Sequence, residues 1–139
     1  MYLVDTDVIS EARKGLSAHR GVREFFRAVI GDGVGVYLSA ITIGELRQGV
    51  EVIRHRGDRQ QAQRLSRWLD RVSADYADSV LLFDAEIAQV WGRLRVPNPE
   101  NPLDKQIAAT ALVFDLTVVT RNVVHYSSTG VRVLNPFVA

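Results

Sequence analysis

YLVDTDV, residues 2–8, sets three apolar residues directly against a carboxylate, with a second one two positions on. A short, wholly apolar run that stops at a polar residue is the pattern of a strand buried on both faces of a parallel sheet. The same pattern returns in VYL at 36–38, VLLF at 80–83 and TVV at 117–119, and VRVL at 131–134 would supply a fifth strand. Between these runs the apolar residues change to helical spacing. Ile43, Leu46, Val50 and Ile53 form one stripe, and Leu65, Trp68, Leu69 and Val72 a second. Ile87, Val90, Trp91 and Leu94 form a third, and Ile107, Ala108, Ala111 and Leu112 a fourth. Strands alternating with helices predict an α/β fold, a three-layer α/β/α sandwich around a parallel sheet. The stretch RVPNPENP at 95–102 holds three of the four prolines and reads as a loop. With no internal repeat or linker in view, residues 1–139 are expected to form a single domain.

Composition narrows the classes. An apolar share of 47% with 24% charged residues suits a globular chain and argues against disorder. No apolar run approaches the roughly 18 residues of a membrane span. Asp5 and Asp7 break the first apolar stretch and no basic residue precedes it, so it does not read as a signal peptide, and a cytoplasmic location is expected. The absence of cysteine excludes disulfides, zinc thiolate sites and cysteine nucleophiles. The net charge of +1 is not that of a uniformly basic nucleic-acid binder. Residues 47–71 nevertheless carry seven arginines against Glu51, Asp58 and Asp70. Arginine's planar fork matches phosphate, although a solvated helical face would look the same.

In open parallel sheets, ligands bind beyond the carboxyl ends of the strands. Asp5 ends the first strand; Glu45 is expected in the first turn of the helix after the second; Asp104 opens the helix after the proline loop. Asn122 follows the TVVT strand. Carboxylates gathered at one end of a sheet stay ionised together only beside a cation, and Mg2+ or Mn2+ suits oxygen ligands. Each acid also has a purely structural reading. Thr42-Ile-Gly-Glu45 has capping-box spacing, Asn101-Pro-Leu-Asp104 resembles a helix start, and Asp5 or Asp7 could cap the first helix. Asp84 reads as a cap. Two features favour the site: a carboxylate directly after an apolar strand is costly to bury unpaired, and Gly44 and Gly49 flank Glu45 at about 1 kcal/mol each in a helix, suggesting close backbone approach.

At these residues the sequence resembles the PIN-domain family, in its VapC/FitB-like branch of toxins from type II toxin–antitoxin systems. The stretches that carry the resemblance are LVDTDVISE (3–11), YLSAITIGELRQGVE (37–51), LDKQIAATAL (103–112), VVTRNV (118–123) and GVRVLNPF (130–137). It implies a Mg2+- or Mn2+-dependent endoribonuclease that cleaves RNA phosphodiesters and is neutralised by a cognate antitoxin. It also implies a homodimer that meets DNA only through that antitoxin. Position by position, Asp5, Glu45 and Asp104 match the family's acidic motifs, with Thr6, Thr120, Asn122 and His125 as possible supporting residues. One departure stands out. Relatives often carry a further acid as TRNxxDF, or an aspartate at the asparagine of TRN; here those positions are His125 and Asn122. Three acids can hold one cation, and His125 could add an imidazole ligand or be an ordinary surface residue. Lys105, beside Asp104, could meet phosphate or balance charge.

Two rivals remain at this level. The Asp5-Thr6-Asp7 triplet resembles the DxD motif of haloacid-dehalogenase-type phosphatases, but the acidic pair that such enzymes place after a later strand is missing. A PIN-like domain without its fourth acid could also be catalytically impaired, serving as the antitoxin-bound partner in a DNA-binding repressor complex.

Overall fold

The computed structural model describes residues 1–138. Five strands, β1 (Tyr2–Val4), β2 (Val36–Ser39), β3 (Val80–Leu81), β4 (Thr117–Val119) and β5 (Val133–Leu134), form one sheet in the order β3-β2-β1-β4-β5. All pairings are parallel, with Leu3 opposite Tyr37 on one side and Val118 on the other. The central strand is thus the one that ends at Asp5.

Strand alternation divides the core. Val4, Leu38 and Val119 face one layer, built from α1 (Thr6–Ala12), α2 (Arg20–Asp32), α3 (Ala40–His55) and α4 (Arg59–Asp75). Leu3 and Val118 face the other, where Ile107, Ala108 and Ala111 of α6 (Pro102–Phe114) pack, with α5 (Ala85–Leu94) against α6. Period-two alternation in strands this short is enough to feed both layers. Fully burying each such aliphatic side chain contributes on the order of 1.5–3 kcal/mol. The expected three-layer sandwich is therefore what forms, and the four stripes lie on α3, α4, α5 and α6. No stripe was expected over Arg20–Asp32, yet α2 buries Val22, Phe25 and Val29 and ends on Gly33 in the left-handed conformation (φ 64°).

Local chemistry corrects several expectations. The cap of α3 is Ser39, whose hydroxyl accepts from the Ile41 amide at 3.0 Å. Glu45 therefore lies beyond the first turn, Thr42 is fully buried, and the capping-box reading fails. A Cβ at Gly44 or Gly49 would meet nothing within 4 Å, so the close approach expected there is not made within the chain. Asn101 stands at the N-cap of α6 with φ 53° but makes no side-chain capping bond, while Pro102 takes the first helical position. Asp84 does cap α5, accepting from the Ile87 amide at 2.9 Å.

The chain end is clamped to α2. A Cβ at Gly21 would stand 1.8 Å from the Pro136 carbonyl oxygen, so only glycine lets residues 135–137 cross there. The Arg121 guanidinium lies over the Phe137 ring at 3.6 Å, and the same ring packs against His19.

Candidate active site

Asp5 is the N-cap of α1 and is only 3% exposed. Its Oδ1 accepts from the Thr6 amide at 2.7 Å. Oδ2 accepts from the Thr120 hydroxyl at 2.8 Å and the Tyr126 hydroxyl at 2.9 Å. The capping and functional readings of Asp5 are therefore compatible, because one oxygen serves the helix and the other the end of β4. Burial and the nearby Asp7 carboxylate push its pKa up to about 6 against these donors.

Thr6 links this acid to the next. Its hydroxyl donates to Glu45 Oε1 at 2.6 Å and lies 3.3 Å from the Thr42 hydroxyl. Burial raises the pKa of Glu45, with Asp104 and Asp7 adding like-charge repulsion. Asp7 Oδ2 accepts from the Arg121 amide at 2.9 Å, while Oδ1 is buried without a partner. Asp7 is also pushed up, chiefly by burial.

Asp104, in the first turn of α6, meets His125 from the 3-10 turn Val123–Tyr126, with Oδ2 and Nδ1 2.7 Å apart. Asn122 is exposed; its amide donates to the Thr120 hydroxyl, and its side chain makes no hydrogen bond among the described residues. Lys105 turns away into the interior, 1% exposed, and donates to the Glu100 carbonyl. It pins the proline loop, and the phosphate-binding reading has no geometric support. The arginine surplus lies on the α3–α4 hairpin, where Arg47 and Arg54 are engaged by Glu51 and Asp70.

Tyr126 went unread in the sequence. It is 1% exposed, and burial, reinforced by Asp5, Asp104 and Asp7, drives its own pKa upward, so it stays a neutral donor to Asp5. Tyr126→Phe removes a hydrogen bond to a charged group and should cost about 1.5–3 kcal/mol of stability. The difference should be largest near pH 8 and shrink near pH 5, where Asp5 gains its proton. Equal urea midpoints for both proteins at pH 8 would refute that role.

Among the described residues, no three acidic or histidine side chains are already gathered into a metal-binding group. The donor set still fits a hard divalent cation. Asp5, Asp7 and Glu45 all have raised pKa values, with like charges among the causes for Asp5 and Glu45, and one buried carboxylate oxygen of Asp7 lacks any donor. A cation is what such a set is short of.

A central parallel strand delivering a buried aspartate, with further acids arriving on the flanking connections, defines a class of acidic-site α/β proteins. The PIN-domain model matches residues 2–127, and the chain belongs to the PIN-domain family. Within it the likeness is to the FitB and VapC branch. The chain is 32% identical over 142 aligned positions to Toxin FitB of Neisseria gonorrhoeae, covering 99% of both. It is 30% identical to the VapC ribonuclease Y4jK of Sinorhizobium fredii, covering 99% of this chain and 98% of that one. Among solved structures, FitAB bound to a DNA fragment superposes with a TM-score of 0.84 at 29% identity, over 99% of this chain and 96% of that one.

Proposed function

We propose that the protein is a Mg2+- or Mn2+-dependent endoribonuclease acting in the cytoplasm as the toxin of a toxin–antitoxin pair, with residues 1–139 as one PIN domain. The observation that supports this reading is that separate elements carry Asp5, Glu45 and Asp104 to the carboxyl end of the central strands, near enough for Asp104 to raise the pKa of Glu45, in a chain of this family. A VapC ribonuclease and a toxin among its full-length relatives support it. Asp5, Glu45 and Asp104 would hold the cation, which when bound supplies Lewis-acid stabilisation of a phosphodiester and acidifies a water.

The chain's own residues do the rest. Thr120 and Tyr126 hold the Asp5 carboxylate in one orientation, and Thr6 leaves Glu45 one oxygen free of its hydrogen bond. The arginines of α4, none of them in an ion pair among the described residues, offer sequence-independent contact with the RNA backbone. The partner is a cognate antitoxin, through which the protein reaches DNA, as the DNA-bound FitAB neighbour suggests. Leu103 and Phe114, exposed apolar residues at the two ends of one side of α6, would suit a homodimer.

The test is purified, antitoxin-free protein incubated with total RNA. Cleavage should appear with Mg2+ or Mn2+ and cease with chelator. No cleavage with either ion, or undiminished cleavage in chelator, would overturn the reading. The hold of His125 on Asp104 favours one rival, a PIN domain that binds its antitoxin but no longer cuts. Tight antitoxin binding without any metal-dependent cleavage would identify it.

A further inference from the structure

We propose that Arg121 is a phosphate anchor, whose guanidinium holds an RNA phosphate beside the one at the acidic site. The inference rests on the ribonuclease reading above and adds a substrate contact to it. The backbone around Arg121 is tied to that site from both sides. Thr120, one residue earlier, donates to Asp5, and the Arg121 amide itself donates to Asp7 at 2.9 Å. The Asn122 amide returns to the Thr120 hydroxyl at 3.0 Å. The Cα of Arg121 therefore stands about 3.8 Å from that of a residue bonded to Asp5.

The side chain does not spend its charge on the acids near it. Its field reaches Asp7 and Glu11, yet it forms no ion pair among the described residues. The residue is exposed, and its guanidinium lies over the Phe137 ring, 3.6 Å from the centroid. Stacking occupies a face of the planar group, whereas its five N–H donors point out along the edges. Those edges are what grip a phosphate bidentately. Held on the ring, the charge also stays off the carboxylates, where it would compete with a cation for them.

Phe137 is fixed in turn by His19 and by the passage of residues 135–137 over Gly21. The clamp on the chain end thus sets one positive group in advance at the rim of a site crowded with negative ones. RNA approaching Asp5, Asp7, Glu45 and Asp104 meets like charge, and a fixed cation beside them offsets that repulsion. Arg132 makes the contrast: it is paired with Asp115 and bonded to Thr117, at the opposite end of β4.

The experiment follows two labelled single-stranded RNAs of unrelated sequence binding to the antitoxin-free protein, by fluorescence anisotropy across a salt series. Ca2+, another oxygen-seeking cation, replaces Mg2+. Wild type is compared with Arg121→Gln, Phe137→Leu and Arg132→Gln. Glutamine keeps a planar group for Phe137 but neither the charge nor the fork. Arg121→Gln should bind both RNAs roughly 10-fold or more weakly, with a salt slope smaller by about 0.7. Phe137→Leu keeps the charge, so the slope should hold while affinity falls roughly 2–10-fold as the guanidinium loses its platform. Arg132→Gln should bind as wild type does. If Arg121→Gln lowers the melting temperature but leaves RNA affinity and salt slope unchanged, Arg121 only ties down the chain end. That result, or an equal loss in Arg132→Gln, overturns the inference while the proposed function stands. Wild type that binds neither RNA overturns both.

Discussion

Asp5→Asn should abolish metal-dependent RNA cleavage and, in metal-free buffer, raise the melting temperature. The first effect follows from removing the charge that the cation needs. Losing several kcal/mol of charge stabilisation corresponds to a rate drop of more than about 100-fold. The second follows from linkage. The Asp5 pKa is raised to about 6 by burial and Asp7, so the folded state holds its proton more tightly than the unfolded chain does. A raised acid destabilises the fold at pH above the folded pKa, and the penalty is relieved as pH falls from about 6 towards the unfolded value near 3.8. About two pKa units are on the order of 3 kcal/mol, for a side chain that is almost wholly buried. Asparagine keeps the α1 cap through its carbonyl and can exchange hydrogen bonds with Thr120 and Tyr126. Calorimetry in chelator should show the variant melting several degrees higher at pH 7.5, with the gap closing near pH 4. A variant that melts lower at pH 7.5, or that cleaves RNA at the wild-type rate, would contradict the assignment.

Two glycines of one helix should respond to alanine with opposite signs. At Gly21 the new methyl would lie 1.8 Å from the Pro136 oxygen and 3.0 Å from its carbonyl carbon, both backbone atoms that cannot rotate aside. The terminal segment must lift, and overpacking of this kind costs roughly 1–3 kcal/mol or more. At Gly31 a methyl meets nothing within 4 Å, so alanine should stabilise by up to about 1 kcal/mol through helix propensity. Denaturant titration of the two variants should therefore bracket the wild-type midpoint. The Gly21 loss would carry a second sign, because Phe137 underlies Arg121, whose amide holds Asp7. If Gly21→Ala unfolds at the wild-type midpoint, the clamp between α2 and the chain end is not as described.

The sheet and four of its helices could be read directly, since short apolar runs and 3.6-residue stripes each have a single packing solution. α2 was harder because Arg23, Glu24 and Arg27 interleave with the Val22, Phe25 and Val29 face that it buries. Glu45 shows why spacing alone misleads: Thr-x-x-Glu suits a capping box, and only the Ser39 bond to Ile41 reveals that the helix has already begun. The family's acids could be picked out one at a time. What supports them could not, because Tyr126 is an aromatic with no local signal and owes its role to a partner far along the chain. The sequence likewise gives no sign that His125 stands 2.7 Å from Asp104, 21 residues away.

Distance along the chain has a consequence for the order in which the protein is made. Thr120 reaches back 115 residues to Asp5, and Tyr126 reaches back 121. During synthesis Asp5 leaves the ribosome among the first residues and its donors among the last. Until β4 emerges, β1 lacks the neighbour that lines up with it from Tyr2 to Val4. A polypeptide halted before Thr120 would contain Asp5, Glu45 and Asp104 yet have no wall to set them against. Premature stop codons between Asp104 and Thr120 should therefore yield chains that carry all three acids but lack the donors that hold Asp5.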